Sequence, residues 1–332
     1  ALLKARGLNV TSLKIDPYIN VDAGTMNPTV HGETFVLEDG LETDQDMGNY
    51  ERFLDTKLTS INYMTTGSVY LEVIRKERNL EYKGKNVQVV PDIPLEVIKR
   101  IQKAAENAGA DVVITEIGGT VGEYENILFL EAIRLMKQEN PDDIATVMVS
   151  YLPVPGSIGE MKTKPTQHAS RTLNSAGVFP DIILARAPVA LDEKRKQKIA
   201  TFCGVRMENV ISAPDVESIY DVPVNYEKDN LSEKLCKIIG LKPQVSDLKE
   251  WSLFAKKSKD SKKEVKIAIV GKYFNSGEFV LSDVYISVLE AIKFSAYGLN
   301  LKPVITYIGA QDFEKGESSL ETLKGFDGIL VP

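Results

Sequence analysis

Cysteine, histidine and tryptophan are all scarce. The chain holds two cysteines, Cys203 and Cys236, two histidines and one tryptophan among 332 residues. The two cysteines form no C-x-x-C and cannot build a zinc site by themselves. So few cysteines in so long a chain suit a reducing, cytoplasmic compartment. An excess of positive charge is missing too: 40 Lys and Arg stand against 47 Asp and Glu, a net charge of −7. General nucleic-acid binding, which works by neutralising phosphates, is therefore not expected. No apolar run approaches the ~18 residues of a membrane-spanning helix, so no membrane partner is expected. The N-terminus lacks the pattern of a signal peptide. Two familiar chemical signatures are also absent: nothing matches G-x-x-x-x-G-K-[ST], and there is no serine nucleophile elbow.

What is present is a soluble composition with 43% hydrophobic and 26% charged residues, enough for roughly two domains at about 150 residues each. Apolar strand-like runs at Asn9–Ile15, Val87–Val90, Asp111–Ile117, Ile144–Leu152 and Asp181–Ala187 alternate with helical patterns. Those patterns fall at Met47–Ile61, Leu95–Ala108, Ile127–Lys137, Thr166–Ser175 and Glu193–Cys203. Gly109 and Gly177 follow helices, as C-caps do. Continuous apolar strands alternating with helices predict an α/β fold, a doubly wound parallel sheet covered on both faces. After Leu241 the pattern breaks. Residues 242–264, with seven lysines against four acids, read as a linker. From Val265 a second, incomplete α/β unit follows: Val265–Val270, a helix over Ser282–Ala296, Pro303–Ile308 and Gly328–Val331. The first residue is Ala, Ala1–Gly7 reads as the last turns of a helix, and the end reads as a strand with nothing after it. The chain is thus expected to be an internal piece of a longer protein.

Several clusters carry chemistry. Lys14 stands near the carboxyl end of a buried parallel strand, where ligands of open α/β sheets sit. It meets either an anionic ligand or an ion-pair partner such as Asp16 or Asp22. In the acidic stretch Glu38–Asp55, Asp44 and Asp46 stand at the start of a helix, as cap and dipole partners or as metal ligands. Asp111–Ile117 delivers Glu116 to a strand end just before a turn with Gly118, Gly119 and Gly122. Phosphoryl-transfer proteins hold an acid near Mg2+ in this way, and glycines let backbone N–H groups approach a phosphate. A strand-end acid with a tight turn would read the same. Lys162 and Lys164 flank the start of a helix at Pro165, where a positive helix end repels lysine unless an anion sits among them; the alternative is a solvated basic turn. Lys194, Arg195, Lys196 and Lys198 read as the exposed face of a helix.

The segments LKIDPYINVDAGTMNP, HGETFVLEDGLETDQDMGNYERF, EIGGTVG, KTKPTQH and DVESIYDVP, in this order and spacing, resemble the CTP synthase family. The resemblance is dense from residue 1 to about 240. From Val265 the chain resembles the opening of a class I glutamine amidotransferase domain. The resemblance implies a P-loop-NTPase-like synthetase (amidoligase) domain over 1–241, a linker over 242–264 and the start of the glutaminase over 265–332. The implied enzyme is a carbon–nitrogen ligase that converts UTP to CTP in pyrimidine biosynthesis. It uses ATP and glutamine or ammonia, passes through a 4-phosphorylated UTP and is inhibited by CTP. It further implies that Lys14 is the catalytic lysine facing the ATP phosphates, and that Asp46 and Glu116 hold Mg2+, Asp46 also serving the ATP site. Arg186 and Asp215 would sit by the adenine. Lys162, Lys164, Gln167 and Lys198, with Glu123 and Glu125, would bind UTP or CTP, and His31 would lie near the ammonia path. A homotetramer and GTP activation are implied as well. One departure is visible: the family's G-D-I-E-S run reads Gly122-Glu123-Tyr124-Glu125-Asn126 here. The family's phosphate loop is expected before Ala1 and its glutaminase nucleophile after Pro332, so this chain by itself is expected to be inactive. A shortened, non-catalytic nucleotide-binding or assembly relative is the alternative.

Overall fold

The computed structural model describes residues 1–156, 159–242, 244–274, 283–316 and 318–332. Its strands are β1 (Val10–Asp16), β2 (Thr34–Val36), β3 (Glu42–Asp44), β4 (Tyr63–Thr65), β5 (Val112–Ile117), β6 (Val147–Tyr151), β7 (Ile182–Ala187), β8 (Val210–Pro214), β9 (Lys263–Gly271), β10 (Leu301–Gly309) and β11 (Gly328–Leu330). The helices are α1 (Pro28–His31), α2 (Asp46–Leu54), α3 (Thr66–Arg78), α4 (Val89–Ala108), α5 (Ile127–Glu139), α6 (Lys164–Ser175), α7 (Glu193–Cys203), α8 (Asp221–Lys228), α9 (Leu231–Ile238), α10 (Lys249–Asp260), α11 (Ile286–Gly298) and α12 (Ala310–Glu314). The chain divides into two compact units, one of residues 1–21 and 61–248, the other of residues 22–60 and 249–332.

In the first unit, β1 pairs in parallel with β4 on one side and β5 on the other. The β1–β5 register runs from Val10 opposite Val112 to Ile15 opposite Ile117, so the two expected strands share a sheet. A second parallel trio has the order β6-β7-β8. Among the described residues the hydrogen bonds thus make two three-stranded parallel sheets rather than one continuous sheet. Every residue of β1 is buried, as a strand covered on both faces should be. Leu13, Ile15 and Met64 pack with Val69, Val73, Val97, Ile101 and Phe129 of α3, α4 and α5. Around the other trio, Met148, Ile183, Ala185 and Val210 pack with Leu173, Ile199 and Cys203 of α6 and α7. Ile117, the last residue of β5, packs against both cores.

The helix over Glu193–Cys203 has the expected bounds because its ends are chemically marked. The Asp192 carboxylate accepts from the Arg195 N–H at 2.8 Å, and Gly204 closes it at φ 72°. Two expectations fail in this part of the chain. Val87–Val90 forms no strand. The Asp92 carboxylate reaches back to accept from the Gln88 N–H at 2.8 Å, and although Val90 is extended, the chain runs on into α4. The apolar run is therefore the lead-in to a helix. The expected helix over Met47–Ile61 stops at Leu54, because Asp55 turns left-handed at φ 47°. Leu58 is buried all the same, from a loop rather than a helical stripe.

The second unit holds the β10-β9-β11 parallel sheet and the antiparallel hairpin β2-β3. Lys263–Gly271, Leu301–Gly309 and Gly328–Leu330 are the three strands anticipated there. The anticipated helix begins at Ile286 after a 3-10 turn at Asp283–Tyr285; Ser282, its expected first residue, lies outside the described residues. The segment 242–264, read from the sequence as a linker, contains α10. The Trp251 ring lies 5.1 Å from Phe53, and Phe254 stacks on Phe294 at 4.9 Å. These two aromatic contacts outweigh the lysine-rich composition, whose charges occupy the solvent side.

Candidate functional site

Parallel pairing sets Lys14 opposite Tyr63 on one side and Glu116 on the other. Strand alternation puts Asp16 on the same face as Lys14. The outcome is a compact charge cluster at the carboxyl ends of β1 and β5. The Lys14 Nζ donates to Glu116 Oε1 at 2.8 Å and lies 3.7 Å from Asp16 Oδ1. The side chains of Lys14 and Asp16 are 5% and 6% exposed, whereas that of Glu116 is 48% exposed. Asp16 Oδ2 accepts from the hydroxyls of Tyr63 at 2.7 Å and Tyr18 at 3.2 Å, and those two hydroxyls also bond to each other. Burial, reinforced by the Asp16 charge, pushes the Tyr63 phenol far above its ordinary range, so it stays a donor. Of the two readings of Lys14, the structure displays the ion pair, with Glu116 as well as Asp16. Asp22 belongs to the other unit, where its Oδ1 accepts from the Gly24 N–H at 3.0 Å.

The turn after β5 is drawn tight by close approach. The Gly118 N–H donates to the Ile15 carbonyl at 2.8 Å, and a side chain at Gly118 would come within 3.0 Å of that oxygen. Gly119 has φ +81° and Gly122 φ +104°, conformations that L side chains rarely adopt. Glu123 folds back, its Oε2 accepting from the Thr120 N–H at 2.8 Å, and Asn126 donates to the Thr120 carbonyl at 3.0 Å. Glu123 and Glu125 are both exposed, as is Tyr124.

A cationic group forms around the start of α6 and α7, two helices that pack together. The Lys162 ammonium donates to Glu160 Oε2 at 2.6 Å. The hydrogen bond and charge of Lys162 hold the Glu160 carboxyl below its usual range, and Arg195 and Lys198 add to the effect. Lys162, Arg195 and Lys198 therefore share one electrostatic neighbourhood. Lys164 is exposed in the first turn of α6, and the helix has no side-chain cap hydrogen bond at its N-cap Thr163. Gln167 is buried and donates to Thr163 Oγ1 at 3.1 Å. Arg195 came from the stretch read as an exposed helix face; no sequence signal separated it from its basic neighbours. At the ends of β7 and β8, Arg186 and Asp215 form an ion pair at 3.5 Å, both about half exposed.

Asp46 and His31 lie in the second unit, Asp46 as the first residue of α2 and His31 as the exposed last residue of α1. Among the described residues, no group of three or more His, Cys, Asp or Glu is arranged to hold a metal ion. The donors at the β1–β5 end are carboxylate oxygens, the hard ligands that Mg2+ takes, and Mg2+ needs only one or two of them when phosphates and waters complete its shell. The half-exposed Glu116 fits such a role.

The first unit is a parallel α/β protein unit with charged residues gathered at the strand ends, the place where ligands of open α/β sheets bind. Residues 1–241 match the family described as CTP synthase N-terminus, and the chain belongs to that family. It is 49% identical over 332 residues to a CTP synthase of Thermococcus gammatolerans, covering 100% of this chain and 61% of that protein. A CTP synthase of Sulfolobus acidocaldarius is 45% identical over 330 residues, 99% of this chain and 61% of the relative. A CTP synthase of Pyrococcus abyssi is 49% identical over 332 residues, 100% and 60% respectively. The chain thus spans about three fifths of the length of the curated relatives it matches.

Proposed function

We propose that the intact protein makes CTP from UTP, with ATP as co-substrate and glutamine or ammonia as the nitrogen source. The single observation that carries this reading is the family match over residues 1–241, which contain the Lys14–Asp16–Glu116 cluster at a strand end. In this reading Lys14 faces the ATP phosphates and steadies charge on the transferring phosphoryl group. Such transfer depends on positioning and electrostatics more than on covalent protein chemistry. Glu116 and Asp46 are each assigned to Mg2+, by motif resemblance. When bound, Mg2+ would neutralise charge between the phosphates.

Lys162, Lys164 and Lys198 with Gln167 are assigned to the UTP triphosphate and to CTP as competing inhibitor, and Arg195 joins them. Glu123 and Glu125 are assigned to the same nucleotide, and Arg186 and Asp215 to ATP. His31 is assigned to the ammonia path. The reading extends to a synthetase over 1–241 and the start of a glutaminase over 265–332, to a cytoplasmic homotetramer, and to activation by GTP. The test is CTP formation by the intact protein from UTP, ATP, Mg2+ and either ammonia or glutamine. Loss of both activities in Lys14→Ala, with glutamine hydrolysis retained, is the expected result. Unimpaired CTP formation in that variant would overturn the assignment.

A further inference from the structure

Asp16 and Glu116, two carboxylates beside the Lys14 ammonium, are not equivalent. Asp16 is nearly sealed from solvent, and one of its oxygens is occupied by two tyrosine hydroxyls, Tyr63 at 2.7 Å and Tyr18 at 3.2 Å. Tyr63 is itself buried and sits on β4, beside β1 in the sheet. Asp16 therefore cannot rotate away without breaking two hydrogen bonds inside the fold, each to a charged acceptor. Glu116 makes the shorter contact to Lys14, 2.8 Å against 3.7 Å, yet about half of its side chain faces solvent. One carboxylate is fixed and the other is exchangeable.

We propose that Asp16, clamped by Tyr63 and Tyr18, is the positioning residue that keeps Lys14 in place when Glu116 leaves it for a divalent cation. This rests on the reading of Glu116 as a metal carboxylate and adds a role for a residue outside that reading. A lysine buried at a strand end needs a countercharge at all times. If Glu116 were its sole countercharge, every cation arriving there would have to strip it away. The second carboxylate removes that conflict, because Lys14 keeps an anion beside it whether or not Glu116 is engaged. Asp16 thus acts through Lys14 and touches no reacting atom. The tyrosines matter because an unclamped Asp16 would swing off Lys14, which would then hold Glu116 harder.

The test measures Mn2+, a hard oxygen-binding stand-in for Mg2+, bound to the intact protein with a non-hydrolysable ATP analogue. Free Mn2+ is read by electron paramagnetic resonance, with no turnover involved. In Asp16→Asn the amide oxygen still accepts from Tyr63, but the fixed charge is gone, so Lys14 holds Glu116 harder. Mn2+ affinity is expected to fall about tenfold, a coupling usual for residues in one charge network. Tyr63→Phe, which keeps the charge and loosens the clamp, should give a smaller loss in the same direction. In a Lys14→Met background Asp16→Asn should change Mn2+ affinity by less than about twofold, because the effect passes through the lysine. Unchanged Mn2+ affinity in Asp16→Asn, or an equal loss with and without Lys14, overturns the proposal. Glu116→Gln separates the two claims. If it leaves Mn2+ binding intact, the metal reading fails; if it weakens binding while Asp16→Asn and Tyr63→Phe do not, the positioning role alone fails. Should Asp16→Asn not fold, Tyr63→Phe and its double variant with Lys14→Met decide the question.

Discussion

Gly67, in the first turn of α3, offers a test in which two effects of opposite sign compete. Its N–H donates to the Tyr18 carbonyl at 3.2 Å, and the Ile19 backbone lies against it. A methyl group there would fall 2.0 Å from the Ile19 carbonyl oxygen and 2.8 Å from its carbon. No real contact of that kind is so short, and the obstacle is backbone rather than a mobile side chain. Helix propensity alone would make Gly67→Ala stabilising by about 1 kcal/mol. Forcing a methyl into filled space costs about 1–3 kcal/mol, and a backbone obstacle sits at the top of that range. The expected net effect is a loss of about 2 kcal/mol. For a unit of this size that corresponds to a fall in Tm of about 4–8 °C. The assay is thermal unfolding followed by circular dichroism. Because the displaced segment carries Tyr18, whose hydroxyl bonds to Asp16, CTP synthesis by the intact protein should also drop. An unchanged or raised Tm would show that the Ile19 segment yields freely and that the close approach is incidental.

Three further outcomes are expected. Lys164→Ala in the intact protein should raise the UTP concentration needed for half-maximal rate and weaken CTP inhibition together; a shift in ATP saturation alone would reassign this lysine. Glu160→Gln, by freeing Lys162 from its resident carboxylate, should lower half-saturation by UTP by about threefold, the scale of an exposed pair, and unchanged UTP saturation would count against the shared pocket. Glu72, hydrogen-bonded by Arg75 and assisted by Lys76, has its carboxyl lowered to about 2. A lowered folded-state value stabilises above the unfolded one, so the contribution is full above about pH 4.5 and is lost as pH falls toward 2. Solvent screening reduces it to about 0.5 kcal/mol. Urea unfolding of Glu72→Gln should differ from the parent protein at pH 6 and converge with it near pH 2.

Elements with chemical punctuation were legible in the sequence, and those defined by tertiary contact were not. Asp192 and Gly204 mark both ends of α7 in the local sequence, and the helix has those bounds. At Val87–Val90 the local signal was three valines in four residues, but the decisive group was the Asp92 carboxylate four residues after Gln88. A carboxylate that reaches back in this way turns an apparent strand into the entry of a helix. In α10 the lysines dominate the composition, while Trp251 and Phe254 determine the structure by packing on residues far away in sequence. Composition reports the solvated face of such a helix and says little about the face that docks.

The same division runs through the candidate site. That Lys14 and Glu116 each end an apolar strand could be read from hydrophobic pattern alone. Their meeting could not, since they are 102 positions apart and only the parallel β1–β5 register sets them opposite one another. Asp16 was visible as a neighbour of Lys14, but its fixity depends on Tyr63, brought alongside by β4. An ammonium buried between two carboxylates is costly to assemble and would be poor design for stability alone, because a well-packed apolar residue commonly serves as well. Three ionisable groups of this kind at the carboxyl end of a parallel sheet make physical sense where charge must be exchanged with a ligand. One carboxylate is held by tyrosine hydroxyls and the other is left half exposed, which is the asymmetry that the proposed exchange requires.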